Sequence, residues 1–317
     1  MISTKKSHEV TVMKIYDSII IGGGPAGLCA GLYLSRGGYD ALLLESGFIG
    51  GQASLTSNIE NYPGFENGIS GIDLAMKMEE QAKRFGLNIL YNEVKNINLS
   101  GDIKTLLTAD GELHAKTVII ACGASPRKLG LPNEENLTGS GVSYCATCDG
   151  AFFKGMDVAI IGGGNTAAED ALFLSKIVNK VYIIHRRDNL RAEQSYKNKI
   201  SETANIEVVY NSKIKQIVEK DGAVNGIEID KNGESAALFV RGVFVAIGTE
   251  PRSGLFKEIK KDENGYIITD ENMKTSLPGV YAAGDIRKKS LRQVVTAVAD
   301  GAVAANSAAL FLSGGIV

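Results

Sequence analysis

Short, wholly apolar runs recur along the chain, each followed by a glycine-rich turn and then by a stretch of small residues. Ile19-Ile20-Ile21 leads into Gly22-Gly23-Gly24-Pro25-Ala26-Gly27, and Val158-Ala159-Ile160-Ile161 leads into Gly162-Gly163-Gly164-Asn165-Thr166-Ala167. Each reads as a buried strand, a G-x-G-x-x-G/A turn and a small-residue helix. A second apolar run follows in each copy, Ala41-Leu42-Leu43-Leu44 and Val181-Tyr182-Ile183-Ile184. The copies also end alike, because the segment from Val118 to Arg127 matches the segment from Val243 to Arg252. Two matches in the same order mark an internal repeat of one supersecondary design. The pattern predicts an α/β protein with two Rossmann-like, three-layer nucleotide-binding domains. A third segment, Gly279-Val280-Tyr281-Ala282-Ala283-Gly284-Asp285, precedes an Ala/Val-rich helix that opens at Arg292-Gln293. The roughly 65 residues after Arg252 are too few for a third domain. The second domain is therefore expected to be inserted into the first, with boundaries 1–125 and 252–317 for one and 126–251 for the other.

A glycine turn between strand and helix serves a pyrophosphate. Gly22 and Gly162 allow the tight turn, Gly24 and Gly164 let backbone approach the phosphates, and Gly27 or Ala167 lets helix pack on strand. The end of the second strand sets the ligand. Glu45 is an acceptor for a ribose 2′-OH and repels a 2′-phosphate, which suits the adenosine of FAD or NAD. The second copy ends instead in His185-Arg186-Arg187, with Arg191 beyond. Arginines at that place suit a 2′-phosphate, so the second copy is expected to prefer NADPH. Asp285 is a candidate for the ribityl or pyrophosphate region of the first nucleotide. The helix opening near Arg292 would aim its positive end at a flavin ring.

Between the two copies lies Cys145-Ala146-Thr147-Cys148-Asp149. Two thiols three positions apart can hold two electrons as a disulfide, or supply half of a zinc site. The other cysteines, Cys29 and Cys122, stand alone, and His8, His114 and His185 have no ligand spacing. Redox chemistry is expected, with no metal. Cys29 and Cys122 read as buried small hydrophobes. A net charge of -2 argues against a broad nucleic-acid surface. No apolar run approaches the ~20 residues of a membrane span. Met1 to Lys14 is polar, without the apolar core of a secretory leader. Cysteines without such a leader suit a reducing compartment, so a cytoplasmic location is expected.

These motifs, together with Gly50-Gly51-Gln52, Glu60-Asn61-Tyr62-Pro63-Gly64 and Tyr281-Ala282-Ala283-Gly284-Asp285, stand in one order along the chain. In that order and spacing the chain resembles the low-molecular-weight thioredoxin reductases, class II of the pyridine nucleotide-disulfide oxidoreductases. The resemblance implies FAD contacts from Gly22, Gly24, Pro25, Ala26, Gly27, Glu45, Gly51, Gln52, Asn61, Gly123, Asp285, Arg292, Gln293 and Val294. It implies NADPH contacts from Gly162, Gly164, Asn165, Thr166, His185, Arg186, Arg187 and Arg191. Cys148 would face the flavin, Cys145 would attack the protein disulfide, and Asp149 would act as acid. The NADPH domain would rotate between half-reactions, the partner would be thioredoxin or a thioredoxin-like protein, and the assembly a homodimer. Phe152-Phe153 matches the pair that grips thioredoxin in the family, although core packing explains it equally well. Ser140 and Tyr144 depart from the family pattern around the cysteines, where Arg and a small residue are common.

Other assignments share the fold. Ferredoxin–NADP reductases lack the cysteine pair, and small-molecule dithiol oxidases tend to lose the basic motif that this chain keeps. A ferredoxin-driven reductase sits poorly with Arg186 and Arg187, whereas the departures at Ser140 and Tyr144 leave another dithiol acceptor open. A non-catalytic flavin sensor would not need a complete path from donor to dithiol.

Overall fold

The computed structural model describes residues 14–56 and 58–314, so all but the last residue of the polar lead-in lies outside the described residues. From the N-terminal side the chain forms β1 (Ile15–Ile21), α1 (Pro25–Arg36), β2 (Ala41–Glu45), α2 (Gly71–Arg84), β3 (Asn88–Tyr91), β4 (Val94–Asn98), β5 (Lys104–Thr108) and β6 (Gly111–Ile120). It continues through β7 (Ala124–Pro126), β8 (Val142–Ser143), α3 (Ala146–Asp149), β9 (Asp157–Gly162), α4 (Asn165–Leu174), β10 (Lys180–Ile184) and α5 (Gln194–Glu202). Then come β11 (Ile206–Val209), β12 (Ser212–Lys220), β13 (Ala223–Lys231), β14 (Glu234–Leu238), β15 (Gly242–Ala246) and β16 (Thr249–Pro251), before β17 (Val280–Ala282) and α6 (Val294–Leu312). Two units result. One takes residues up to 54, 73–123 and 251 onward; the other takes 55–72 and 124–250. Residues 55–72 contribute no strand to the first unit's sheet, and their own pairing is the Ile59–Ile69 bridge.

The first unit is built on a sheet of order β3-β2-β1-β6-β5-β4, with β17 also pairing β6. The inner strands are parallel, in the register Ile19↔Leu42 and Ile19↔Val118. The ten-residue β6 serves two partners: its first half pairs antiparallel with β5 and its last residues pair parallel with β17. Because side chains alternate along a strand, each apolar run feeds both faces. Ile20, Leu43 and Ile119 join α1 and α6 in one core. Ile19, Ile21, Leu42, Leu44, Val118 and Ile120 fill the other, against Leu106, Phe256 and Ile267. That double burial is why the runs show no polar alternation.

Helix α6 is 19 residues long with a mean hydropathy of 1.5, so length and composition alone would let it cross a membrane. The sequence expectation that no apolar run comes near that length is corrected here. The helix is a core element of its unit, with Ala304, Ala305 and Ala308 fully buried. A Cβ on Gly301 would lie 2.2 Å from the Ala26 carbonyl oxygen, so glycine is what lets α6 touch the α1 backbone.

The second unit repeats the design with a parallel sheet of order β11-β10-β9-β15-β8. Val158, Ile160, Val181 and Ile183 pack on α4 through Ala167, Ala168, Ala171 and Leu174. The opposite face, with Ala159, Ile161, Ile184 and Val243, is covered by the antiparallel sheet β12-β13-β14 through Ile217, Ile227 and Ile229. Both units are thus three-layered, and the second is inserted into the chain of the first. The connecting strands β7 and β16 pair with one another.

Candidate active site

The first glycine turn has the geometry of an anion cradle. Gly22 has φ +108°, and a Cβ there would sit 2.5 Å from the Ala121 carbonyl oxygen. A Cβ on Gly27 would fall 1.9 Å from the Gly22 oxygen, so the helix lies directly on the turn. Gly24 has open space beside it and caps α1 with no side-chain hydrogen bond. Pro25 at the helix start sets φ, and Ala26 is buried behind it. The N–H groups of the first helical turn therefore point at open space with the positive end of the dipole behind them. Glu45 closes the turn: its carboxylate accepts hydrogen bonds from the N–H of Gly23 and of Gly47, both at 2.7 Å. Gly51, at φ +55°, would place a Cβ 3.5 Å from the Gly24 Cα, which brings the 51–55 turn and Gln52 to the same cradle. Gly123 also takes a positive φ, +68°, just after β6. Asn61 falls in the 55–72 segment of the other unit.

Asp285 lies in a short helical turn after Gly284, and its buried Oδ1 has no hydrogen-bond partner. Lys289 Nζ is 3.3 Å away as an ion pair without hydrogen-bond alignment. Behind it is a charge cluster the sequence did not reveal. Asp300 of α6, 7% exposed, accepts from Arg287 Nη1 at 2.9 Å, Lys289 Nζ at 3.1 Å and the Gly284 N–H at 3.0 Å. Arg292 stacks its guanidinium on Tyr266, 4.1 Å from the ring centroid. Gln293 caps α6 ahead of Val294, and its N–H donates to Thr296 Oγ1 at 3.2 Å.

The second turn repeats the first with different chemistry. Gly164 is open and caps α4 without a side-chain hydrogen bond. Asn165 and Glu193 bond each other twice: Asn165 Nδ2 donates to Glu193 Oε1 at 3.0 Å, and Glu193 N–H donates to Asn165 Oδ1 at 2.9 Å. Thr166, Arg186, Arg187 and Arg191 are exposed around this turn. His185 is buried, and a Cβ on Gly163 would fall 2.2 Å from its Nδ1. Its Nδ1 lies 2.9 Å from the Gly162 carbonyl oxygen and so donates to it. Burial holds its pKa below the ordinary value, and Nε2 has no hydrogen-bond partner. His185 thus supports the turn from beneath, while the three arginines reach solvent.

The remaining cradle holds sulfur. Cys145 and Cys148 form a disulfide with Cα atoms 5.3 Å apart, and Cys145 caps α3 in extended backbone. Ser143, buried and absent from the sequence reading, organises the motif. Its Oγ accepts from the Cys145 N–H at 3.0 Å and donates to Asp149 Oδ2 at 2.7 Å. Burial raises the Asp149 pKa, against the Ser143 hydrogen bond, which lowers it. The lone thiols are inert by the same physics: burial pushes Cys29 up to about 11 and Cys122 up to about 12. The aromatic pair divides, Phe153 buried edge-on against Phe244 and Phe152 half exposed. Among the described residues no three His, Cys, Asp or Glu side chains gather as metal ligands.

Comparison with known proteins agrees with this geometry. The family model for pyridine nucleotide-disulphide oxidoreductases matches residues 16–301. A thioredoxin reductase of Peptoclostridium acidaminophilum is 47% identical over 93% of this chain and 96% of its own. The chain belongs to the thioredoxin reductases. Within that family, the solved enzyme of Streptococcus pyogenes is 43% identical and superposes with a TM-score of 0.89 over 95% of this chain and 99% of that one. The enzyme of Lactococcus lactis in its FR conformation, 41% identical, reaches 0.67 over 94% of this chain and 99% of that one. Members of the family use FAD and NADPH. Open helix N-termini, an Asp285 oxygen without a hydrogen-bond partner and the glycine surfaces of both turns fit two dinucleotides.

Proposed function

We propose that the chain moves two electrons from NADPH, held by the second unit, through FAD, held by the first, to the Cys145–Cys148 disulfide and on to thioredoxin. The observation that carries this reading is the disulfide with its ordered acid, in the same unit as a glycine turn flanked by arginines. We assign FAD to residues 1–125 and 252–317 and NADPH to 126–251. Gly22, Gly24, Gly27, Glu45, Gln52, Asn61, Asp285 and Gln293 would hold the flavin nucleotide, and Gly162, Gly164, Asn165, Thr166, Arg186, Arg187 and Arg191 the pyridine nucleotide.

FAD, when bound, would supply two-electron chemistry between the nicotinamide and the disulfide. The rest is the work of this chain. The Cys145 thiolate attacks the disulfide of thioredoxin, forms the mixed disulfide and expels one thioredoxin sulfur as thiolate. The Cys148 thiolate then attacks Cys145 Sγ, restores the internal disulfide and releases the second sulfur. Asp149, whose pKa burial raises, stands next to the pair in the chain and is the acid assigned to supply a proton to a departing thiolate. One flavin must meet both a nicotinamide and a disulfide, so the NADPH domain rotates between half-reactions. The fall in TM-score from 0.89 to 0.67 between two relatives of nearly equal identity supports this, because divergence does not account for it. The protein is read as cytoplasmic and homodimeric by its resemblance to the family.

The test is anaerobic. NADPH should bleach the flavin, and a disulfide dye should be reduced only when thioredoxin is added. Cys148→Ser should trap thioredoxin as a mixed disulfide on Cys145; Cys145→Ser should trap nothing; both should keep NADPH bleaching. Thioredoxin reduction near the wild-type rate by either variant would sink the electron path.

A further inference from the structure

Tyr144, one of the two departures noted beside the cysteines, is not a bystander. Its hydroxyl donates to Glu134 Oε1 at 2.7 Å. Glu134 is a carboxylate only 1% exposed. That carboxylate also accepts the N–H of Leu129 at 2.8 Å on Oε1 and the N–H of Gly130 at 2.8 Å on Oε2. The Leu131 N–H adds a longer contact of 3.4 Å to Oε2. Leu129, Leu131 and Tyr144 pack together against the Leu137–Val142 core. One buried anion thus joins two pieces of the second unit: the segment that follows β7, and the residue that enters the redox pair.

A buried carboxylate is tolerable only when donors satisfy its oxygens. Here three donors are backbone and fixed, and the fourth is the Tyr144 hydroxyl. Burial and the neighbouring anion push the tyrosine pKa above its usual value, so the hydroxyl remains a donor across the working pH range. Residue 144 then has a fixed position on the β8 side of Cys145, while Ser143 fixes the same stretch through Cys145 N–H and Asp149. With the backbone held at both places, Cys145 enters α3 along one path.

We propose that Tyr144 and Glu134 are positioning residues for the redox pair, holding the main chain at Cys145 so that its sulfur stays within closing distance of Cys148. This rests on the reading of Cys145–Cys148 as the working disulfide. Closure of a dithiol depends on the effective concentration of one sulfur at the other. Releasing the tether lowers that concentration, destabilises the disulfide relative to the dithiol and raises the reduction potential.

The experiment equilibrates the full, FAD-loaded chain anaerobically with dithiothreitol at graded ratios of its reduced and oxidised forms. The protein disulfide gains two electrons and two protons as one dithiothreitol becomes its cyclic disulfide. Acid quench, alkylation and mass measurement of the peptide containing Cys145 and Cys148 give the equilibrium constant. Tyr144→Phe keeps the ring and removes only the donor. Its constant for disulfide closure should fall about three- to tenfold, which is about 15–30 mV toward positive potential. The rate of flavin bleaching by NADPH should hold, and the thermal midpoint should fall by a few degrees, because a buried carboxylate loses one of its four donors. Glu134→Gln should shift the constant in the same direction, and adding Tyr144→Phe to it should change little further, since the two share one hydrogen bond. A Tyr144→Phe constant equal to wild type overturns the proposal. So does a shift accompanied by an equal loss of NADPH bleaching, which would mark general loosening. Failure of the wild-type chain to reduce thioredoxin would instead overturn the functional reading, while the dithiothreitol equilibrium would still report on the tether.

Discussion

The two glycine turns share a sequence pattern and a sheet order, β3-β2-β1-β6 in one unit and β11-β10-β9-β15 in the other, yet they are sealed in opposite ways. In the first, an anion ends the second strand, and Glu45 accepts from the Gly23 N–H of the turn with one oxygen and from the Gly47 N–H of its own loop with the other. In the second, a neutral imidazole does the sealing, and the charges beyond it are arginines open to solvent. The helices differ too. Helix α1 is pressed on by α6, where Gly301 meets the Ala26 backbone. Helix α4 packs instead against the shorter α3 and α5. One turn pattern on one sheet order thus carries an anion bonded to backbone in the first copy and exposed arginines in the second.

The strongest way to break this comparison is to exchange the third position of the turns. Gly27 lies so close to Gly22 that a Cβ would fall 1.9 Å from a carbonyl oxygen, whereas the second copy already carries Ala167 there. Gly27→Ala should force the helix off the turn while α6 holds it from behind. Overpacking typically costs about 1–3 kcal/mol, and a backbone oxygen at 1.9 Å puts this site at the upper end of that range. Loss of FAD on purification and a thermal midpoint lowered by many degrees are expected. The reciprocal Ala167→Gly should cost only about 1 kcal/mol, the helix penalty of glycine. Equal effects would show that the two turns are packed alike.

That asymmetry also marks where the sequence was legible. Apolar runs buried on both faces, glycines at fixed offsets and the paired cysteines are local patterns, so the double three-layer fold and the turns could be read directly. Three features were not. Ser143 and Glu134 act through partners that only folding brings near. His185, read with the arginines as a nucleotide contact, is buried against Gly163, a contact between residues far apart in the chain that no local pattern announces. The Asp300 cluster sits in a helix that otherwise reads as small and apolar, and its partners Arg287 and Lys289 come from the loop after β17.

The difference in charge is sharpened by the arginines. Replacing Arg186 or Arg187 with Ala should raise KM for NADPH about ten- to a hundredfold each, since hydrogen bonds to charged groups are worth about 1.5–3 kcal/mol. KM for NADH should change far less, because it lacks the 2′-phosphate. Steady-state kinetics with both nucleotides checks this, and equal shifts would remove the arginines from the 2′-phosphate site. Both side chains are exposed, so neither change should alter the thermal midpoint.

The smallest effect concerns one helix position. Aligning the turns places Asp170 of α4 opposite Ala30 of α1, which is fully buried in the first unit. Asp170 is only partly covered, yet burial, and then the charge of Glu169, push its pKa up to about 7. The sign follows from linkage: the folded state holds a proton that the unfolded chain has already released. Asp170 therefore favours folding at low pH, and its contribution is lost as pH rises from the ordinary carboxylate range to about 7. Asp170→Asn removes the titration. It should match wild type near the low end of that window and be more stable above pH 7. The gain should be about 1–2 kcal/mol, reduced by the partial exposure of the site to water. Urea denaturation of both proteins across this range reads the difference directly and cancels the titrations they share. A variant whose advantage is the same at both ends would mean that Asp170 ionises as freely as a surface acid, and that the second helix tolerates a charge where the first requires alanine.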